Sequence, residues 1–469
     1  MRTLTAALAA TLALYPLAAP AQSPQPPGAP SRPALTLEAA LRRASEANLD
    51  LQAARARLEQ AQAGIARAWS QHLLQVHAGA SYTRNSYSSA IDLPTGFYVR
   101  DLGSPQGPPA GQGVPGEPTA LAVVPSGVSH AVLLEQDQLG ARVEVSQPLV
   151  APPLWFSIRA SRQGAAAAEQ SVDAARREVL FGVARAYYGV VSLAKLVGVS
   201  ERLLEIARRQ ERDAASRYRA GTIPRVGPVR AEIDRARAEQ DVVRARNAYQ
   251  SARIALALLL DREPDFEVQE APEPRLPGDL GGLNETAQRQ RPDLRAARLE
   301  EEAARSLRLS SVMRYLPTVG AFGWWQVSNA TGFSGQRDSW AVGIGLSWTL
   351  LDGGLREAEV REGSARAAEA TARRSLVEAT AAAEVRQAVL DLESARANAR
   401  KAREEADLAA ENQRLVETSY QAGAATAVEQ ADAAASLRNA EVRATTEALQ
   451  AQVAALRVLY VAGLFDPAG

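Results

Sequence analysis

The sequence has no cysteine and, in 469 residues, only three histidines and two methionines. The absence of cysteine excludes disulfides, thiol catalysis and zinc–thiolate sites, and so few histidines and methionines leave little for a transition-metal site. Neither charge is in excess, because 53 lysines and arginines face 53 aspartates and glutamates, whereas a nucleic-acid-binding protein needs a basic excess. Aromatic residues make up only 5% of the chain. We therefore expect neither an enzyme, nor a bound cofactor or metal, nor a nucleic-acid partner.

The first 21 residues have the features of a secretory signal peptide. Arg2 gives a positive start, residues 4–19 are mostly apolar, and Ala19-Pro20-Ala21 fits a small-x-small cleavage site. An N-terminal membrane anchor is the alternative, but the apolar run is short for a span and is interrupted by Pro16. No later stretch approaches 18 uncharged apolar residues, so we expect no transmembrane helix, and any membrane crossing must use β-strands.

The chain carries an internal duplication. Residues 217–221 correspond to 419–423 at an offset of 202 residues, and residues 50–54 correspond to 293–297 at an offset of 243. The difference of 41 residues falls in the first copy, within a proline- and glycine-rich stretch at about 88–137 that we interpret as a long extracellular loop. The predicted domains are a signal peptide at 1–21, a Pro-rich segment at 22–34, a first repeat at 35–262, a linker at 263–282, a second repeat at 283–464 and a tail at 465–469.

Each repeat is predicted to contain a long helical hairpin. Apolar or small residues recur at alternating steps of three and four from Val183 to Ala207 and from Val385 to Ala409, which is the period of a helix that packs along a seam. At 1.5 Å per residue, a helix over 155–219 would span about 100 Å. The glycines of Ala220-Gly221 and Ala422-Gly423 are expected to reverse the chain before second helices at about 228–261 and 427–461.

Upstream of each hairpin the hydrophobic period falls to two, which indicates β-strands. The clearest strand has large apolar residues on one face and small or polar residues on the other; the large ones are Val342, Ile344, Leu346, Trp348 and Leu350. We predict three further strands near 317–328, 76–83 and 141–146. Strands of about ten residues with apolar-out, polar-in alternation match those of membrane barrels, although half-buried strands of soluble sheets alternate in the same way.

Four strands cannot close a membrane barrel, because an open edge in lipid would leave backbone groups unsatisfied. The pattern therefore predicts oligomerisation. Three chains would supply twelve strands, an even number large enough to leave a water-filled lumen, although two or four chains also satisfy closure.

Several short motifs together resemble the TolC-like family of outer-membrane efflux proteins, over nearly all of 35–464. They are Leu-Thr-Leu-Glu-Ala-Ala-Leu at 35–41, Asn-Leu-Asp-Leu at 48–51, Arg-Pro-Asp-Leu at 291–294, Tyr-Leu-Pro at 315–317, Trp-Thr-Leu-Leu-Asp-Gly-Gly at 348–354 and the two Tyr-x-Ala-Gly turns. The first copy departs from this pattern, with Leu74 where the second has Pro317.

The resemblance implies a mainly α protein with a membrane β-barrel: a homotrimer with a twelve-stranded barrel and a long α-helical periplasmic tunnel. Its implied function is that of a passive exit channel in contact with outer-membrane lipid. Its implied partners are a periplasmic adaptor protein and an inner-membrane pump of the RND or ABC type, in efflux or type I secretion.

The resemblance also implies a gate of carboxylates after the second Ala-Gly turn, at Glu429 and Asp432, which lie one helical turn apart. The alternative is that these acids favour the dipole of a solvated helix N-terminus. Family members latch the entrance with an Arg and an Asp, whose positions here hold Ala425 and Gly227. Contacts of Tyr420 or Arg225 are the expected substitutes for that latch. Asp352, Gly353 and Gly354 would form the strand-to-helix transition.

The hairpin tips are the predicted docking surface for the adaptor, with loop rigidity as the alternative role for the proline. This surface comprises Tyr218, Gly221, Pro224, Arg225, Tyr420 and Gly423. Four tryptophans are predicted to form an aromatic girdle at the membrane interfaces, since membrane barrels place aromatic residues there: Trp324, Trp325, Trp340 and Trp348.

Two other classes of protein remain as alternatives. A periplasmic adaptor would have one helical hairpin flanked by the split halves of small β-domains. A coiled-coil spacer would leave the four alternating strands unexplained.

Overall fold

The computed structural model describes residues 34–101, 121–278 and 280–465. The predicted signal peptide at 1–21, nearly all of the segment at 22–34, the middle of the predicted loop and residues 466–469 of the tail lie outside the described residues.

The first repeat begins with two helices, continues through strands and ends in a long helical hairpin. Its elements are β1 (Ala34–Leu35), α1 (Leu37–Ala47), α2 (Leu49–Ser70), β2 (Gln75–Arg84), β3 (Ser89–Asp101), β4 (Leu121–Leu134), β5 (Asp137–Val150), α3 (Pro152–Arg219) and α4 (Val226–Leu259). Asn48 separates α1 from α2 because its side chain accepts hydrogen bonds from the amides of Asp50 and Leu51 and so caps the second helix.

The second repeat has the same order of elements without the extra pair of strands. It comprises α5 (Leu283–Gln290), α6 (Pro292–Met313), β7 (Thr318–Ser328), β8 (Asp338–Ser347), α7 (Leu355–Gln421) and α8 (Ala427–Val461). The connector between the repeats contains β6 (Glu267–Val268), which pairs in parallel with β1. This architecture confirms the predicted fold class, mainly α with strand pairs upstream of long helical hairpins.

The helices form a wall one layer thick. Near the sheet, neighbours pack in the order α2, α3, α6 and α7; towards the hairpin tips the order is α4, α3, α8 and α7. The largest core cluster lies midway along α3, where Val183, Tyr187 and Val190 are fully buried. A second cluster contains Val385 and Leu392, and Val385 is the equivalent of Val183 in the other repeat. Equivalent positions of the two repeats therefore form the core clusters at the middle of the wall.

One described helix is long and apolar enough to cross a membrane by length and composition. This helix is α3, in which an 18-residue window has a mean hydropathy of 1.3 and is 39% buried. The finding differs from the expectation that no stretch would qualify. Its cause is that α3 contributes many of the apolar residues of the core and packs against α1, α2, α4, α6 and α8.

The described part of the predicted extracellular loop at 88–137 contains regular structure that the sequence did not indicate. Strands β3 and β4 pair in an antiparallel ribbon, with register shifts around Pro94 and Gly96. Proline cannot donate a ladder hydrogen bond, but each strand of a two-stranded ribbon has one unpaired side on which proline is tolerated. The number of prolines in this stretch is therefore a poor guide to its β-strand content.

Candidate functional site

Strands β2, β5, β7 and β8 form one antiparallel sheet in that order. Because directly paired residues point to the same face, the register places the apolar residues of all four strands on one side. Two of the rows on this face are Val76–Val145–Gly323–Val342 and Ala78–Val143–Trp325–Trp340. Val342 and Ile344 are 75% and 74% exposed, so this apolar face is open rather than packed in a core.

Both edges of the sheet are open within the described part of the chain. Strand β2 pairs with β5 alone, and β8 pairs with β7 alone. The two edge strands run in opposite directions, since every neighbouring pair in the four-stranded sheet is antiparallel. The free edge of β8 could therefore continue an antiparallel sheet with the β2 edge of another copy.

The opposite face of the sheet is mostly polar or small. Two of its rows are His77–Glu144–Trp324–Ala341 and Gly79–Arg142–Gln326–Ser339. Phe322 and Trp324 are the exceptions in size, and the Trp324 ring lies 4.9 Å from the guanidinium carbon of Arg142. The placement of Trp324 with polar partners makes the prediction that all four tryptophans share one girdle wrong, because successive residues of a strand point to opposite faces.

The remaining tryptophans lie on the apolar face at two heights. Trp325 and Trp340 are paired across β7 and β8, whereas Trp348 follows the other end of β8 and donates a 3.1 Å hydrogen bond from Nε1 to the Tyr315 carbonyl oxygen. Eight residues separate Trp340 from Trp348, about 26 Å along an extended strand. Outer-membrane barrels have an apolar band of similar height between two aromatic girdles. Tyr315 and Tyr82 also lie near the two ends of the sheet.

Asp352, Gly353 and Gly354 lie between β8 and α7. The φ angles of Gly353 and Gly354 are 69° and 90°, a region that residues with a side chain rarely adopt. Asp352 accepts a 2.7 Å hydrogen bond from Nε of Arg356, and the Arg356 guanidinium carbon lies 4.8 Å from the centre of the Tyr315 ring. Burial alone would raise the pKa of Asp352, but the hydrogen bond and charge of Arg356 outweigh it and lower that pKa. The junction is thus held by one ion pair.

The two hairpin tips are built by the same turn. In the first, the Gly221 amide donates to the Tyr218 carbonyl and the Thr222 amide to the Arg217 carbonyl. In the second, Gly423 and Ala424 donate to the equivalent carbonyls of Tyr420 and Ser419. Both glycines have positive φ, 71° and 78°, which completes the Schellman motif that ends a helix.

The equivalent tyrosines of the two tips differ in exposure. Tyr218 is 45% exposed, whereas Tyr420 is only 7% exposed, because Arg217 from the first tip covers it. The Arg217 guanidinium carbon lies 4.4 Å from the Tyr420 ring centre, and its Nη1 donates to the Tyr420 carbonyl at 3.0 Å. Contrary to the prediction from the sequence, Tyr420 is therefore not a free docking residue; it joins the tips. Pro224 and Arg225 are exposed.

Glu429 completes a capping box at the start of α8. Its carboxylate accepts hydrogen bonds from the Thr426 amide at 2.7 Å and hydroxyl at 2.9 Å, while its own amide donates to the Thr426 hydroxyl. These hydrogen bonds, the amide first, lower the pKa of Glu429. Asp432, one turn later, is exposed. The structure thus gives Glu429 the helix-terminal role that was the alternative to a gate, and both carboxylates stay on the surface of the tip.

The tips carry opposite charge. Residues 210–235 hold six arginines against four acids, whereas 411–436 hold one arginine against four acids. At the two positions where the family's latch residues would stand, Gly227 is buried, and an added Cβ there would lie 2.8 Å from the Ile223 side chain, while Ala425 is partly buried. The contact between Arg217 and Tyr420 is therefore the observed link between the tips. One sequence signal could have indicated this contact: position 217 is arginine, whereas the equivalent position 419 is serine.

Helices α4 and α7, at the two ends of the lower wall, each carry a second apolar stripe. On α4 the exposed residues recur at multiples of about 3.5 opposite the packed seam: Val226, Val229, Ile233, Val243, Ile254 and Leu258. On α7, Leu408 and Leu415 are exposed at a spacing of seven. A heptad stripe on a free helix face is the pattern of a helix with a second partner.

The described residues contain no group of three or more His, Cys, Asp or Glu side chains placed to hold a metal ion. A model of the outer membrane efflux protein family matches residues 134–262 and 283–463. A comparison with curated proteins finds no match.

Solved structures of outer-membrane proteins share the fold of this chain at low identity. The outer membrane protein VceC of Vibrio cholerae superposes with a TM-score of 0.71 at 21% identity, over 91% of this chain and 96% of that one. The CmeC outer membrane channel of Campylobacter jejuni gives 0.73 at 16%, over 92% and 87%. The open state of the MtrE outer membrane channel of Neisseria gonorrhoeae gives 0.66 at 20%, over 91% and 88%.

Proposed function

The chain belongs to the outer membrane efflux protein family, and from that membership we propose that three copies form one passive exit channel, with a twelve-stranded barrel in the membrane and a helical tunnel in the periplasm. The family match confirms the predicted resemblance and the outer-membrane localisation. It favours a channel over the adaptor or spacer alternatives, and the presence of two sheet strands before each of two hairpins agrees with that choice.

The observation that carries the proposal is the four-stranded sheet with one continuous apolar face and two unpaired edge strands. In lipid, each unpaired backbone group costs several kcal/mol, so a single sheet is not a stable membrane structure. Pairing β8 of each copy with β2 of the next removes every edge. Three copies make the lumen large enough for water.

The helical wall supports the same assembly. Helices α4 and α7 are the two ends of the lower row of helices, and each has an apolar stripe that its own chain leaves exposed. Closing the ring packs the α4 stripe of one copy against the α7 stripe of the next, as in a coiled coil. The same contact alternates basic and acidic tips around the mouth, which attracts neighbouring tips to each other.

The exposed part of the tips is the proposed docking surface for a periplasmic adaptor, through which an inner-membrane pump of the RND or ABC type would deliver cargo. Tyr218, Pro224 and Arg225 are exposed there. An adaptor that engages this surface and separates Arg217 from Tyr420 would free the tips to move apart. Glu429 and Asp432 would then present up to six carboxylates to the entering cargo.

The absence of cysteine permits a direct test of barrel closure. Ala78→Cys on β2 is combined in turn with Trp340→Cys, Val342→Cys, Ile344→Cys and Leu346→Cys on β8, all on the apolar face. Mild oxidation of the native protein in outer membranes should join three chains through one of these pairs, giving dimer and trimer bands on a non-reducing gel. The matched control combines Ala78→Cys with Ala341→Cys or Gly345→Cys, which point to the other face and should not cross-link; an added Cβ at Gly345 makes only ordinary contacts.

Conductance of the purified oligomer in a planar bilayer is the second measurement. Ion-conducting pores are expected. A cross-linked ladder that stops at two chains or extends to four would contradict the trimer, and a stable oligomer that never conducts would contradict the channel.

A further inference from the structure

Two aromatic rings stand on the polar face of the sheet. Phe322 and Trp324 are two residues apart on β7 and so point to the same side. Ser146 and Gly343 flank Phe322 on the neighbouring strands, and Glu144 and Ala341 flank Trp324. Three of these four neighbours are small. Phe322 is 46% exposed, and Trp324 is partly exposed.

Each ring lies against a neighbouring strand. A Cβ added at Gly343 would lie 2.9 Å from the tip of the Phe322 ring, so this ring lies over the bare backbone of β8. The Trp324 ring lies 4.9 Å from the guanidinium carbon of Arg142. The nearest ion-pair partner of Arg142 is Glu144, at 3.7 Å, and the Arg142 side chain is 48% exposed. We refer to Phe322, Trp324 and Arg142 as the aromatic–arginine cluster.

In the proposed barrel, this face lines the aqueous lumen. Lumen-facing residues of membrane barrels are mainly polar, and leaving aromatic surface in water is unfavourable by its area. The contact with the glycine backbone accounts for the position of the Phe322 ring, but about half of Phe322 stays exposed. Arg142 keeps donors that its long contact with Glu144 does not satisfy. His77 is the other titratable group on the row of Glu144, so the cluster combines flat apolar surface with a donor for anions.

We propose that the aromatic–arginine cluster is a contact site for planar aromatic carboxylates that pass through the barrel. The aromatic ring of the molecule stacks on Trp324 and Phe322, and its carboxylate accepts hydrogen bonds from Arg142. Three copies of the cluster surround the lumen at one height. The inference rests on the proposed channel function, because only a closed barrel makes this face the wall of the lumen.

Block of single-channel current by benzoate tests the site, with cyclohexanecarboxylate as the probe of equal charge and similar size that lacks a flat ring. Each compound is added on the extracellular side of the full-length trimer in a planar bilayer. Benzoate should halve the current at a concentration about two- to twelvefold lower than cyclohexanecarboxylate, the range expected for one favourable aromatic contact. In Trp324→Leu and Phe322→Leu the two concentrations should converge, while Arg142→Gln should weaken block by benzoate.

The matched control is Trp325→Leu, the same substitution one residue away on the opposite face, which should keep the preference for benzoate. Heat-modifiable gel migration verifies that each variant is a folded trimer. If one of the Phe322 and Trp324 variants does not fold, the other still tests the site. A conducting channel that both carboxylates block equally, or a preference lost in Trp325→Leu and kept in Trp324→Leu, overturns the aromatic site and leaves the channel intact. A trimer that never conducts overturns both proposals.

Discussion

Arg217 and Tyr420 join the tips of the two helical hairpins, with the guanidinium carbon 4.4 Å from the ring centre and a 3.0 Å hydrogen bond to the Tyr420 carbonyl. The two residues belong to equivalent turns of the duplicated chain but are not themselves equivalent, since Ser419 occupies the position of Arg217 in the second repeat. The duplicated chain therefore has two turns with the same pair of backbone hydrogen bonds, and the arginine of the first turn makes the contact between them.

Replacing Arg217 with alanine should open the entrance. A cation–π contact and a charged hydrogen bond together contribute about 1–2 kcal/mol, so a contact present only in the closed entrance would shift the balance about 5- to 30-fold towards the open state. Open probability in planar bilayers measures the shift. Arg219→Ala is the control, because Arg219 is exposed and donates within its own helix, to the Ala215 carbonyl. An effect of equal size in both variants would contradict the role of Arg217.

Neutralising the acidic tip should reduce cation selectivity. Glu429→Gln removes charge but retains a side chain that can complete the capping box, and Asp432→Asn removes the second carboxylate. In the double variant the reversal potential in a salt gradient should move towards that of an unselective pore. Thr426→Val, which weakens the cap and keeps both charges, should leave the reversal potential in place. Unchanged selectivity in the double variant would remove the gate assignment.

The capping box at the start of α8 should weaken only in acid. Since the pKa of Glu429 is lowered from 4.5, its ionised form stabilises the folded tip at every pH above that value, and the contribution is lost as the pH falls through the lowered pKa. Hydrogen exchange of the amides at 427–430, corrected for intrinsic rates, should be constant from pH 7 to about 5 and faster below about 4. In Glu429→Gln the profile should be flat, and a fall in protection nearer pH 6 would point to a different group.

Alanine at the strand-to-helix junction should destabilise the folded chain. Gly353 and Gly354 have positive φ, where a residue with a Cβ costs about 1–2 kcal/mol, although a Cβ added to either glycine would meet no other atom within 4 Å. Gly353→Ala and Gly354→Ala should therefore lower the temperature at which heating changes the gel migration of the folded protein. Gly64→Ala, in the interior of α2 and equally free of contacts, should raise it slightly, because alanine is the better helix former by about 1 kcal/mol. Equal effects at all three sites would exclude the conformational explanation.

Local periodicity predicted most of the elements. The seam from Val385 to Ala409 and the alternation from Val342 to Leu350 repeat over many residues, so small errors at the ends did not change the type of element. The sequence did not predict the ribbon of β3 and β4. A proline argues against a strand only where both sides of the strand are paired, and the sequence does not show how many neighbours a strand has. A residue on an edge can lack an amide hydrogen without any loss of pairing.

The site was predicted less completely than the fold. Trp324 and Trp325 have the same identity and adjacent positions, and only the register of the sheet separates a residue of the apolar face from one of the polar face. The contact between Arg217 and Tyr420 spans 203 residues; the duplication makes the two turns equivalent, but it does not indicate that they touch. Glu429 was singled out by the family resemblance, whereas its hydrogen bonds to Thr426 follow from a threonine three residues earlier, a signal that was present in the sequence.

The parallel pairing of β1 with β6 fastens the waist of the helical wall, and the Tyr187 hydroxyl lies 2.7 Å from the Leu35 carbonyl oxygen and 2.8 Å from that of Gln269. From this fastening to the end of α3 at Arg219 the helix continues without a break for about 48 Å. The lower hairpin is thus a lever with its fulcrum at the waist. A rotation of about 5° there displaces the tip by about 4 Å over that length, so a small angle at the waist is enough to change the width of the mouth.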